Sequence, residues 1–340
     1  MQVLGVSILV SLSAPSFAEI VMNSGAVESG QSSLAWSSAE ANQFLNDGES
    51  DEPSPQGSTK VTTSVRASNG VTVQAPAKTV QILNNSNYSN QPNVGARAAL
   101  LMDAQTGEVL YSKNSNTAFP IASITKLMTA VVTADARLNM SERITLQQAD
   151  FSCSGCKSSS STLRAGDSMN RAEALLFALM KSENPAAAAL ARTYPGGRAA
   201  FIAKMNAKAK ELGMNSTRYM ESTGLHPGNV SSARDLGVLV NTASQYGVIR
   251  QFSTTPSYDF NLGYRVLKSN NTNALVRNGG WNINISKTGY INEAGRCVVM
   301  HTTLNNRPAV VVLLGANSSE GRTADATRLM NWASQLPKRI

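Results

Sequence analysis

Apolar positions are unevenly spread along the chain. Residues 3–14 are apolar with small residues interspersed, and Ser16-Phe17-Ala18 has the small-x-small pattern of a signal-peptidase site. This predicts an export signal over residues 1–18, cleaved after Ala18. The basic residue that usually opens such a signal is missing, and the competing reading is a buried strand or short helix. Residues 19–95 are rich in Ser, Asn, Gln, Gly and Thr, include the run Glu49-Ser-Asp-Glu-Pro-Ser-Pro55, and show little apolar periodicity. That is the composition of a disordered linker, with a short strand near 71–80.

Ordered patterning begins near Ala96. Apolar runs at 98–102 and 109–111 flank Asp103-Ala-Gln-Thr-Gly107 and predict a hairpin. A strongly apolar stretch at 121–138 predicts a helix introduced by Pro120. Further helices are expected at 171–180, from Pro185 to 191, and at 199–212, the last stopped by Gly213. Segments 283–291, 297–303 and 309–315 read as strands, the last two joined around Asn305-Asn-Arg-Pro308, and 323–336 reads as a closing helix. Strands at both ends with helices between them predict one α+β domain over residues 96–340.

Composition narrows the class. The 340 residues are 42% hydrophobic and 15% charged, which excludes a collagen, a coiled coil, a disulfide-dense miniprotein and a wholly disordered chain. No apolar run reaches the roughly 18 residues of a spanning helix, so no transmembrane anchor is expected. The net charge of +8 is divided. Residues 1–95 hold Lys60, Arg66 and Lys78 against seven acidic residues, and the rest of the chain carries +12. A basic body suits a polyanionic surrounding. No basic helix, aromatic–basic interleaving or zinc-finger spacing supports nucleic acid, so an anionic membrane face or a cell-wall polymer is expected instead. Cys153-Ser-Gly-Cys156 reads as a local disulfide or two free thiols, and Cys297 as a buried thiol in a strand. A zinc site would need more than this pair and a distant His226 or His301, so no metal and no cofactor is expected.

Three short motifs carry candidate chemistry. In Ser123-Ile-Thr-Lys126, positions i and i+3 share a helix face, and Lys126 is the only charged residue between Lys113 and Asp135. Burial lowers a lysine pKa, and a neutral amine can take the proton of a serine hydroxyl. The bland reading is a snorkelling lysine beside a cap, and Ser154-Gly-Cys-Lys157 matches the same letters. In Ser182-Glu-Asn184, a hydroxyl can relay a proton and an amide can hold a carbonyl; alternatively Asn184 caps the next helix. Ser112-Lys-Asn114 and Ser269-Asn-Asn271 are decoys. In Lys287-Thr288-Gly289, strand alternation puts Lys287 inward with Ile283 and Ile285, and Gly289 admits a substrate backbone.

The ordered set S-x-x-K, S-x-N, K-T-G, with gaps of 59 and 105 residues, is the signature of penicillin-recognising serine enzymes. The chain resembles the low-molecular-mass D-alanyl-D-alanine peptidases over roughly residues 96–336, most of all the periplasmic endopeptidases. The likeness rests on Ile121-Ala-Ser-Ile-Thr-Lys-Leu-Met-Thr-Ala130, Leu179-Met-Lys-Ser-Glu-Asn-Pro-Ala-Ala187 and Ile285-Ser-Lys-Thr-Gly-Tyr-Ile-Asn-Glu-Ala-Gly-Arg-Cys297, with Leu212-Gly-Met-Asn-Ser-Thr217 and Ser222-Thr-Gly-Leu225 in support. It implies a five-stranded antiparallel sheet against a helical subdomain. It implies Ser123 as nucleophile, Lys126 as its base, Ser182 as proton shuttle and Asn184 as substrate-orienting residue. Lys287 would set the local potential, Thr288 would bind a carboxylate, and the N–H groups of Ser123 and Tyr290 would form the oxyanion hole. The implied substrates are peptidoglycan stem peptides and cross-links, with β-lactams as covalent inhibitors and the periplasm as location. Glu183 departs from the Gly that many carboxypeptidases carry at that place.

Rival activities remain. A class A β-lactamase needs a deacylating Glu, and Glu211-Leu-Gly-Met-Asn215 matches by letter, but Gly213 should end a helix there and expose Glu211. A penicillin-sensing receptor domain would need membrane helices. Carboxypeptidases of this group often add a β-rich domain and an amphipathic tail, whereas this sequence ends at Ile340 after its closing helix, which favours an unanchored endopeptidase.

Overall fold

The computed structural model describes Tyr88 and residues 90–337. The expected signal at 1–18, most of the expected linker at 19–95 and the strand expected near 71–80 lie outside the described residues.

Strands β1 (Ala98–Asp103) and β2 (Val109–Lys113) form the opening hairpin. The short β3 (Ala118–Pro120) leads through one 3-10 turn, Ala122–Ile124, into helix α1 (Thr125–Asp135). Pro120 therefore closes a strand, opposite Val230, and does not open the helix. After the small pair β4 (Arg143–Thr145) and β5 (Ser168–Asn170) comes α2 (Arg171–Leu176), its start fixed by reciprocal bonds between Asn170 and Glu173. This helix widens into a π turn, Phe177–Lys181, and Ser182 stops it with φ +67°. Helices α3 (Asn184–Arg192) and α4 (Gly197–Glu211) follow. Then come β6 (Val230–Ser232), α5 (Ala233–Ala243), α6 (Gly247–Thr254), the hairpin β7 (Ser257–Asn261) and β8 (Val266–Asn270), and α7 (Ala274–Asn278). The chain ends its packed body with β9 (Asn282–Ile291), β10 (Gly295–Leu304), β11 (Arg307–Ala316) and α8 (Ser319–Ser334).

The main sheet has the order β2-β1-β11-β10-β9, every neighbour antiparallel. The fold is α+β, its sheet built from the two ends of the packed body, as the pattern predicts. The β10–β11 turn holds Asn305 and Asn306 at φ +50° and +61°, a conformation that Asn tolerates well and that matches the twist of a tight hairpin. One core lies between the sheet and the helices α1–α6. A second lies on the opposite face under α8, and there Val94 is buried and Tyr88 meets Trp332 edge-on at 6.0 Å.

Two features position the site. Helix α1 is buried on all sides from Thr125 to Ala134, so it runs through the middle of the helical part and carries its first turn to the sheet. Strand β9 is the sheet's edge, and its Gly289 lies against the Ala122–Ile124 turn: a Cβ on Gly289 would come within 2.9 Å of the Ile121 carbonyl oxygen and 3.1 Å of the Ser123 nitrogen.

Candidate active site

The three motifs meet where α1, the Ser182 turn and β9 converge. Ser123 is half-buried on the 3-10 turn. Its neighbour Ala122 has φ +47°, a left-handed conformation costly for a residue with a Cβ and characteristic of functional sites. On the far side lies Gly224, at φ +89°, whose Cβ would collide with the Ala122 carbonyl oxygen. Only glycine fits between this loop and the serine turn.

Lys126 is fully buried one turn along α1. Its Nζ lies 2.8 Å from Ser123 Oγ, 2.6 Å from Asn184 Oδ1 and 2.6 Å from the Thr223 carbonyl oxygen. The amide and peptide oxygens are pure acceptors. A neutral Lys126 has two N–H bonds and one lone pair. The two N–H bonds satisfy the two carbonyl-type oxygens, and the lone pair is left facing the Ser123 hydroxyl. Burial lowers the Lys126 pKa to about 7, against the opposing pull of the Glu221 and Glu183 carboxylates. The carboxylates favour the charged form of Lys126, while Lys126 and the buried Lys287 disfavour each other's charge.

Asn184 does not cap α3. Glu183 occupies the cap position without a side-chain capping bond, and Asn184 and Pro185 are the first two helical residues. The Asn184 amide is held at both ends instead, accepting from Lys126 and donating to Ser159 Oγ at 2.7 Å. Ser182 Oγ accepts from Lys287 Nζ at 2.8 Å. Lys287, fully buried on β9, also donates to the Thr288 carbonyl. Burial pushes its pKa well down, and the positive charges of Lys126 and Arg322 act in the same direction. Thr288 Oγ1 donates to Thr272 Oγ1 at 2.7 Å. Tyr290 is exposed, with the Arg296 guanidinium 3.6 Å from its ring centre.

Simple strand alternation fails at one place. Ile285 pairs with His301 and Ile283 with Thr302, a register shift at Asn284. This irregularity turns Ile283 to the core under α8 while Ile285 stays in the other core, on the Lys287 side. Gly289 lets β9 approach the serine turn.

Several groups around the motifs escape the sequence reading. Glu221 is buried; its carboxylate accepts from the backbone N–H groups of Thr223, Gly224 and His226 and from the Asn229 amide. It thereby fixes the loop that presents the Thr223 carbonyl to Lys126. The signal was one acid amid the short polar and glycine residues 221–224. Glu183, the middle residue of its motif, is buried and accepts from Ser161 Oγ and Thr162 Oγ1, both at 2.6 Å. It anchors the segment that carries Ser159. That segment begins at the cysteine loop, where Cys153 and Cys156 form a disulfide and Lys157 pairs with Glu293 at 2.6 Å across to the β9–β10 turn. Cys297 is buried and unpaired in β10. Cys153, Cys156 and Glu221 are close enough to share a metal ion, but the sulfurs are joined to each other and the carboxylate is already engaged by N–H donors. The decoy Ser154 lies in the same polar loop, and Glu211 sits on the last turn of α4, 52% exposed and paired with Lys208.

The profile of the D-alanyl-D-alanine carboxypeptidase family matches residues 85–318. The chain belongs to this family of serine peptidases. It is 46% identical over 249 residues to a D-alanyl-D-alanine endopeptidase of Pseudomonas aeruginosa, covering 71% of this chain and 78% of the relative. It is 45% identical over 262 residues to the D-alanyl-D-alanine endopeptidase of Escherichia coli, covering 76% and 82%. The crystal structure of a Streptomyces DD-transpeptidase superposes with a TM-score of 0.65 at 29% identity, covering 73% of this chain and all of that one. The chain is a serine peptidase hydrolase of the penicillin-binding type. Among the described residues no helix is long and apolar enough to cross a membrane.

Proposed function

We propose that the protein is a D-alanyl-D-alanine endopeptidase that cleaves peptidoglycan cross-links in the periplasm through an acyl-enzyme at Ser123. The observation that carries this is the Lys126 amine, buried, with two pure acceptors on its N–H bonds and Ser123 Oγ at 2.8 Å.

An extended stem peptide adds to the free edge of β9, with its scissile carbonyl at Ser123. The Ser123 proton passes to the lone pair of Lys126 as Oγ attacks the carbonyl carbon. The N–H groups of Ser123 and Tyr290 receive the oxyanion. When the tetrahedral intermediate collapses, the C–N bond breaks and the leaving amine takes a proton from Ser182. The Ser182 hydroxyl, held by Lys287, is reprotonated by the proton that Lys126 took from Ser123, which leaves Lys126 neutral again. Water then hydrolyses the ester, with Lys126 again as base. The carboxylate next to the leaving amine fits the cationic end formed by Arg322, with the Thr288 and Thr272 hydroxyls beside it. β-Lactams enter the same route and stall at the ester. The exposed, paired position of Glu211 argues against a β-lactamase-type deacylating carboxylate.

The relatives at 46% and 45% identity are named endopeptidases, whereas the family is described as carboxypeptidases. Digestion of purified cross-linked muropeptides, read by mass, separates the two. The proposal expects dimers to fall to monomers. Loss of terminal D-alanine alone, with dimers intact, would assign the carboxypeptidase activity instead.

A further inference from the structure

A cleft of about 770 Å³ opens beside the cationic end of the site, between α7 and α8. Two of its lining residues belong to that end. Thr272 accepts the Thr288 hydroxyl, and Arg322, 7% exposed, lowers the Lys287 pKa by its charge. Beyond them the wall carries Arg277 and Arg328, both exposed, with Glu320 as the one carboxylate of the lining. Arg328 is partly neutralised by Asp325 at 3.2 Å. Arg277 donates from one nitrogen to the Asn271 carbonyl at 2.6 Å and is otherwise exposed.

Size and sign both bear on what this cleft takes. A carboxypeptidase releases a single D-alanine, which needs little room beyond Arg322. Clefts of roughly 300–1,000 Å³ hold ligands many times larger than one alanine. A cross-link has as its leaving amine the side chain of a second stem peptide, which must run on past Arg322 and which brings carboxylates of its own. Three arginines against one glutamate complement such a strand. Resting on the endopeptidase reading above, we infer that this cleft is the leaving-strand subsite and that Arg277 is a specificity-determining residue for cross-linked, carboxylate-bearing stem peptides.

The test compares full-length wild type, Arg277→Ala and Arg277→Lys on three reactions: cleavage of a purified cross-linked muropeptide dimer, release of D-alanine from a monomeric pentapeptide, and acylation by a fluorescent penicillin. Removing one exposed charge contact should lower kcat/KM on the dimer about fivefold, through KM. The monomer and penicillin rates should stay within about twofold, the range of an untouched site. Arg277→Lys should recover most of the loss, and added salt should shrink the wild-type preference for dimers. Unchanged dimer cleavage by Arg277→Ala overturns the subsite. So does an equal fall on dimer and monomer, because the residue would then act on the site in general. Wild type that trims monomers and leaves dimers intact overturns the endopeptidase reading itself.

Discussion

At Lys126 burial and two carboxylates act in opposite directions on one amine, and burial prevails. A pKa of about 7 leaves half the molecules with a free base at neutral pH. The acylation rate by penicillin should therefore rise from pH 6 to 8 with its midpoint near 7, as the amine loses its proton. Lys126→Arg keeps the charge, gives up no proton in this range, and should acylate about a thousandfold more slowly; an arginine variant near the wild-type rate would move the base elsewhere. Glu183→Gln removes a carboxylate that holds the Lys126 pKa up, so the midpoint should shift to lower pH. At this scale the motif residues were legible as letters. Their partners were not, because Thr223 contributes only its carbonyl and Ser159, Glu221 and Thr272 sit in loops without periodicity.

Among the elements, the turn before α1 depends on two glycines. Gly224→Ala would force a Cβ into the Ala122 carbonyl at a positive φ. The variant should lose about 3 kcal/mol in urea unfolding and should fail to acylate. Glu183→Ala leaves Ser161 and Thr162 without their acceptor in a buried setting and should cost about 2 kcal/mol. The long apolar runs gave helices and strands close to where they lie, because burial on one or all sides dictates the pattern. Helices α5 and α6 carry equally regular faces, and Ser232 caps α5 by accepting from Asp235, a start signal that was readable and not read. The pairs β3–β6, β4–β5 and β7–β8 are strands of three to five residues, too short for alternation to register. The shift at Asn284 was equally invisible, since it follows from the pairing of β9 with β10.

In the whole molecule, two buried lysines with lowered pKa values weaken the folded state wherever the unfolded chain would protonate them. For Lys126 the folded value lies near 7 and the ordinary value is 10.5. Between these the unfolded chain binds more protons, so stability rises with pH, by on the order of 5 kcal/mol from this group across the window. Lys287 acts with the same sign. Above about pH 10 the tyrosines Tyr219 and Tyr246, pushed up by burial, reverse the trend, because the unfolded chain ionises them first. Urea unfolding should thus show stability increasing from pH 7 towards 9.5, and a flat or falling profile would contradict fully buried lysines. The central claim is that the fold brings Ser123 to a neutral Lys126 as the one acylated serine. Peptide mapping by mass after exposure to penicillin tests it most directly: the adduct should sit on the peptide holding Ser123, vanish in Ser123→Ala and survive in Ser154→Ala. An adduct that persists in Ser123→Ala, or that maps to Ser182 or Ser154, would contradict it.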